Sequence, residues 1–119
     1  MKAIGNRQQA TGPILSEAVF TSQVIALARW NHWLVAHFRP GMNRRGRWMT
    51  AVQGDGAGFP DLILVRPNSP IIGAELKTNT GRVTQAQEAW LEAFRQAGGR
   101  GCVWRPNMIN EIEMVLKGG

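Results

Sequence analysis

Three charges sit where charges are costly. The run DLILVR begins with Asp61, and the run IIGAELK ends in Glu75-Leu76-Lys77. Both runs are otherwise apolar, as buried strands are, and an ionised group there needs a counter-charge or a metal. Side chains alternate across a strand, so Glu75 and Lys77 face the same side. Pro67-Asn68-Ser69-Pro70 reads as a tight turn that brings Asp61 level with residues 75 to 77. The simplest register pairs Arg66 with Ile71 and sets Asp61 opposite Leu76, on the wrong face. A one-residue change of register, a bulge, or a bend at Pro60 would bring it round.

Two carboxylates forced together at the edge of a core repel each other unless a cation lies between them. Hard oxygen ligands suit Mg²⁺ or Mn²⁺ better than zinc. Beside them Lys77 could hold and deprotonate a water, or stabilise charge building on a phosphate. The metal would polarise a phosphoryl oxygen and acidify the attacking water. The plainer alternative is a salt bridge between Lys77 and one of the acids at the rim of the sheet.

The elements that must position these groups follow from pattern. Residues 1–13, MKAIGNRQQATGP, read as a flexible N-terminal arm, and residues 14–119 as a single domain. Ser16 is a natural N-cap for a helix whose apolar stripe is Phe20, Val24, Leu27 and Ala28. Glu17 falls on that same core-facing stripe. Trp33 to Phe38 reads as a first strand, and Trp48 to Gln53 as part of another. Asp61–Arg66 and Ile71–Lys77 are continuous apolar strands with both faces expected to be covered. Thr84 opens a second helix with Trp90, Leu91 and Phe94 on its apolar side, and Gly98-Gly99 ends it. Gln87 points the same way as that stripe. It also completes a capping box with Thr84, so site and cap stand side by side as readings. Gly101–Arg105 is a further strand and Ile109–Leu116 a last helix. The order α-β-β-β-α-β-α predicts an α/β fold with a mixed central sheet flanked by helices.

Composition points to a polyanionic partner. Fourteen Lys and Arg face eight Asp and Glu, a net charge of +6, and most of the bases are Arg, whose fork suits phosphate. The densest basic segment holds Arg39, Arg44, Arg45 and Arg47 with Trp48, a combination that can follow a phosphate backbone and stack on a base. A solvated loop would have the same composition. Arg82 follows the lysine strand closely enough to grip a phosphate near the acids. Gly54-Asp55-Gly56-Ala57-Gly58 leads into a strand, so it is no nucleotide-binding fingerprint; its glycines read as sharp turns or close backbone approach. His32, His37 and Cys102 lack zinc-ligand spacing. Trp30, Trp33 and Trp104 read as core or interface. The lone cysteine excludes an internal disulfide framework and fits a reducing, cytoplasmic setting; neither a secretory signal nor a membrane span is expected.

Gly58-Phe59-Pro60-Asp61, then Glu75-Leu76-Lys77, then Gln87-Glu88-Ala89-Trp90-Leu91 resemble the PD-(D/E)XK nuclease superfamily. Within it the chain is similar to the small stand-alone VRR-NUC (virus-type replication-repair nuclease) proteins, from about Ser16 to Arg105. The resemblance implies a restriction-endonuclease-like core of order αβββαβ and a metal-dependent DNA endonuclease. It implies Asp61, Glu75 and the Leu76 carbonyl as ligands of Mg²⁺ or Mn²⁺, Lys77 as the catalytic lysine, Gln87 as its companion from the next helix, and Glu17 as an acid from the first. It further implies a homodimer acting on branched DNA such as Holliday junctions or flaps, in replication, repair or recombination, with a phage or bacterial origin. The alternatives from other classes are a catalytically silent DNA-binding module and a nuclease subunit of a larger phage or repair assembly.

Overall fold

The computed structural model describes residues 16–38, 41–42, 48–49 and 52–118. The expected arm at 1–13 lies outside the described residues. Helix α1 (Glu17–Trp30) starts where the Ser16 hydroxyl accepts the Val19 amide at 3.1 Å. This satisfies one of the free donors that every helix N-terminus carries. Its stripe buries Phe20, Val24 and Ala28 completely.

Strands β1 (Leu34–His37), β4 (Leu62–Val65), β5 (Ile72–Leu76) and β6 (Arg100–Trp104) form one sheet in the order β1-β4-β5-β6. The first two junctions are antiparallel and the last is parallel. Together with α1 and with α2 (Gln85–Gln96), which carries the chain over from β5 to β6, this is the αβββαβ restriction-endonuclease-like core. Of the expected strand at 48–53, Trp48–Met49 (β3) pairs with Gly41–Met42 (β2) in a separate two-stranded ribbon, Val52 and Gln53 are in no strand, and residues 50–51 lie outside the described residues.

The sheet has two unequal faces. On one, α1 and the C-terminal helix α3 (Ile109–Lys117) enclose Leu62, Leu64, Ile72, Ala74, Leu76 and Trp104 with Phe20, Trp33, Ile112 and Leu116. On the other, α2 packs over β5 and β6. It approaches so closely that a Cβ on Gly101 would stand 2.1 Å from the Leu91 carbonyl oxygen, and one on Gly73 2.9 Å from the Phe94 ring. Strand β5 is therefore buried throughout, as expected. Strand β4 differs from the expectation that both faces are covered: among the described residues Leu62 and Leu64 are buried, Ile63 is half-buried and Val65 stays 42% exposed. Of the three tryptophans expected in a core or interface, Trp33 and Trp104 are buried, but Trp30 is 83% exposed at the end of α1, outside the core.

Register decides the site. Leu62 faces Ala74, Ile63 faces Gly73 and Leu64 faces Ile72. One step further, this register sets Asp61 opposite Glu75, not opposite Leu76. The turn explains the shift. The Ser69 amide donates to the Arg66 carbonyl and Asn68 takes a left-handed φ of 63°, which Asn tolerates, so the loop absorbs Pro70 before pairing resumes.

Candidate active site

Glu75 is the centre of the arrangement. It lies at the buried end of β5 on the α2 face and is 3% exposed. Three groups reach its carboxylate. The Gln87 side-chain amide donates to Oε2 at 2.9 Å. The Lys77 ammonium stands 3.8 Å from the same oxygen. The Asp61 carboxyl faces it from the neighbouring strand, close enough to raise its pKa. Asp61 is itself fixed: its Oδ2 accepts the Leu76 amide at 2.9 Å and its backbone carbonyl accepts the Phe38 amide at 2.7 Å. Oε1 of Glu75 is buried and meets no hydrogen-bond donor among the described residues.

This environment holds the Glu75 carboxyl far above its ordinary range, at about 8. Burial is the largest cause, because a desolvated carboxylate is disfavoured. The adjacent Asp61 carboxyl pushes the same way; Lys77 opposes it, and the charge of Glu17 adds a smaller push upward. A buried acid so placed, with one oxygen unmet and a like charge across the strand, is a strained site that a hard divalent cation would relieve. The donor set therefore fits Mg²⁺ or Mn²⁺. Two carboxylates make it up: no group of three His, Cys, Asp or Glu placed to hold a metal occurs among the described residues.

In the first turn of α2, Gln87 makes two separate sets of contacts. Its Oε1 accepts the Thr84 amide at 2.9 Å and its own amide donates to the Thr84 hydroxyl at 3.1 Å, closing the capping box. Its Nε2 is left to reach Glu75. One side chain thus serves as both cap and contact, since the amide has an acceptor end and a donor end.

Glu17 departs from expectation. It is exposed in the first turn of α1 rather than core-facing, because the buried stripe begins only at Phe20. It remains near enough for its charge to act on Glu75. Arg82 is exposed on the loop that follows Lys77. Arg39, Arg44, Arg45, Arg47 and the Trp48 side chain lie outside the described residues.

Sequence reading missed the residue that shapes the Arg82 loop. The Arg105 guanidinium donates to the carbonyls of Thr78 and Gly81, both at 2.7 Å, and the Asn107 amide donates to Asn79 Oδ1 at 3.0 Å. No local pattern could have marked Arg105, since its partners lie 24 and 27 residues away. The glycine-rich segment before Asp61 behaves as expected: Gly58 takes φ 81° and lies so close to α2 that a Cβ would come within 2.4 Å of the Ala86 carbonyl carbon.

Sequence comparison returns no match among curated proteins and none among solved structures. The family model of the VRR-NUC domain matches residues 27–106 of the 119, spanning Asp61, Glu75, Lys77 and Gln87. With two thirds of its length matched, and the acids, the lysine and the glutamine assembled at one end of an αβββαβ core, the chain belongs to the VRR-NUC family of nucleases.

Proposed function

We propose that this protein is a divalent-metal-dependent DNA endonuclease that hydrolyses phosphodiester bonds at the Asp61–Glu75–Lys77 site. The observation that carries the reading is the buried Glu75 carboxyl, pressed against Asp61 with Oε1 unmet, with Lys77 and Gln87 on its other oxygen. Asp61, Glu75 and the Leu76 carbonyl would hold Mg²⁺ or Mn²⁺. When bound, such an ion supplies Lewis acidity to a phosphoryl oxygen and lowers the pKa of a water.

The remaining work falls to the protein's own groups. Gln87 fixes the Glu75 carboxylate through Oε2, which leaves Oε1 free for another ligand. Lys77, with its side chain 18% exposed, keeps its ammonium at the boundary between core and solvent, where it stabilises negative charge on a scissile phosphate. Glu17, exposed at the start of α1, adds a carboxylate near the site mouth. Arg82, on the loop braced by Arg105, grips a neighbouring phosphate, and the net charge of +6 draws DNA in. The segment holding Arg39, Arg44, Arg45, Arg47 and Trp48 is the second proposed DNA contact.

The preferred substrate is branched DNA, such as a Holliday junction or a flap, met in replication, repair or recombination. A homodimer would set two such sites across a two-fold axis that matches a junction. The setting is cytoplasmic, in a bacterial host if the chain is phage-encoded. No helix among the described residues is long and apolar enough to cross a membrane. The test is incubation of the folded protein with synthetic junction, flap and linear duplex in Mg²⁺ or Mn²⁺. Cleavage of the branched forms ahead of the duplex is expected. Cleavage of none of them would leave a basic DNA-binding module and end the catalytic reading.

A further inference from the structure

The segment before Asp61 is gripped by α2 at two points, one helical turn apart. The Gly56 carbonyl accepts the Phe59 amide at 3.0 Å, making residues 56–59 a tight turn with Gly58 at its third position and φ at 81°. That turn type demands a residue at home at positive φ. Gly58 lies against the Ala86–Gln87 peptide with no room for a side chain, a Cβ there falling 2.6 Å from the Gln87 nitrogen. One turn further along the helix, the Trp90 indole N–H donates to the Asp55 carbonyl at 3.0 Å. The Trp90 ring meets Phe59 edge to face at 5.0 Å, and Phe59 meets Phe38 in the same manner at 5.2 Å. Phe38 in turn gives its amide to the Asp61 carbonyl.

Asp61 and Gln87 stand on different elements, yet both must meet Glu75. What spans the gap is this chain of contacts: α2 to Trp90, to Asp55 and Phe59, to Phe38, to the backbone of Asp61. We infer that Trp90 is a positioning residue of the metal site, holding the 55–59 loop against α2 so that the Asp61 carboxylate is set at the distance from Glu75 and Gln87 that a divalent ion requires. The inference rests on the metal-site reading above. It assigns a function to a tryptophan that otherwise reads as one more apolar residue on an amphipathic helix. Core filling alone would not need the indole nitrogen to find the carbonyl of an exposed residue, nor three aromatic rings in an edge-to-face relay ending beside an acid. Groups that hold the ligands directly commonly govern metal affinity by ten- to a hundredfold, and Trp90, acting on Asp61 through Phe59 and Phe38, should fall at the low end of that range.

The experiment is Mn²⁺ binding, followed by electron paramagnetic resonance and calorimetry, on the wild type, Trp90→Phe and Asp61→Ala without DNA. Trp90→Phe keeps an aromatic ring and removes the N–H donor. The Asp55 carbonyl it frees is exposed and can turn to water, so the metal-free unfolding midpoint should fall by no more than about 5 °C. Mn²⁺ affinity should fall about tenfold, and that of Asp61→Ala at least as far. Should Trp90→Phe lower the midpoint by more than that, Phe59→Leu is read instead, and the same affinity loss is required of it. Wild-type affinity in these ring variants, alongside lost affinity in Asp61→Ala, overturns the positioning role and leaves the metal site standing. Unchanged affinity in Asp61→Ala overturns both.

Discussion

The two ends of the central sheet handle a charged side chain in opposite ways. At the far end, Arg66 is held by three hydrogen bonds and an indole face. Its Nε donates to Ser69 Oγ at 3.0 Å, and its Nη1 donates to the carbonyls of Asn31 and Leu116 at 3.1 and 2.8 Å, which end the two helices α1 and α3. The guanidinium lies 4.4 Å from the centre of the Trp33 ring. A cation at helix C-termini and over an indole face is stabilised by both. At the other end, Glu75 has one oxygen without a hydrogen-bond partner among the described residues, a like-charged neighbour, and a carboxyl pushed up to about 8. The fold can satisfy a charge that is half buried, as it does for Arg66. That it does not do so at Glu75 is what supports the proposed ligand site at this end.

Substitution should separate the two ends by what is lost. Asp61→Ala and Lys77→Ala should each reduce phosphodiester cleavage on the order of ten-thousandfold in single-turnover assays, with circular dichroism unchanged. Loss of fold alongside loss of cleavage would make the catalytic end structural, like the other, and erase the contrast.

Glu75→Gln should also abolish cleavage while making the metal-free protein more stable. The sign follows from the raised carboxyl. Below the ordinary value of 4.5 the group is protonated in folded and unfolded chains alike, so its contribution to stability is fully present. Between 4.5 and about 8 only the unfolded chain gives up the proton, and stability falls as pH rises. Above that range the penalty is complete, up to about 4–5 kcal/mol. Denaturant unfolding in chelator from pH 5 to 9 should therefore show a downward slope in the wild type that Glu75→Gln lacks. A wild-type profile that is flat across this window would remove the strain on which the comparison turns.

Arg66→Ala should do the reverse. It should cost about 1–3 kcal/mol in chemical denaturation by leaving the Asn31 carbonyl short of a donor and the Leu116 carbonyl with the Trp33 indole N–H alone, with Mn²⁺ affinity unchanged. The smallest effect belongs to Arg82→Ala, which is exposed and free of structural bonds among the described residues. It should weaken DNA binding several-fold and lower the slope of affinity against salt by about one, with catalysis at saturating DNA little altered.

The comparison also explains what could be read in advance. The helical stripe of Phe20, Val24 and Ala28 and the buried run of β5 were legible, because periodicity records burial directly. The acids and the lysine were legible as a costly departure from that pattern. The register that joins Asp61 to Glu75 was not, since it depends on whether the turn absorbs Pro70, a matter of loop closure with no trace in strand composition. Gln87 posed a choice between cap and site that dissolves once its two ends are seen to act separately. Glu17 was placed on the core-facing stripe and is exposed, because the buried part of that stripe begins only at Phe20. Arg66 and Arg105 were invisible because their partners are carbonyls distant in sequence, and a carbonyl carries no residue-type signal.

The bare glycine floor beneath α2 has a consequence for how this protein tolerates change. Gly101 and Gly73 set the height at which the helix rides over the sheet, and that height is also the reach of the Gln87 amide toward Glu75. A methyl group added at Gly101 would lift the helix from below and draw the amide away from its acid. A scan of variants should thus reveal a second band of intolerance, in residues bearing no functional group at all, that registers as lost chemistry before it registers as lost folding.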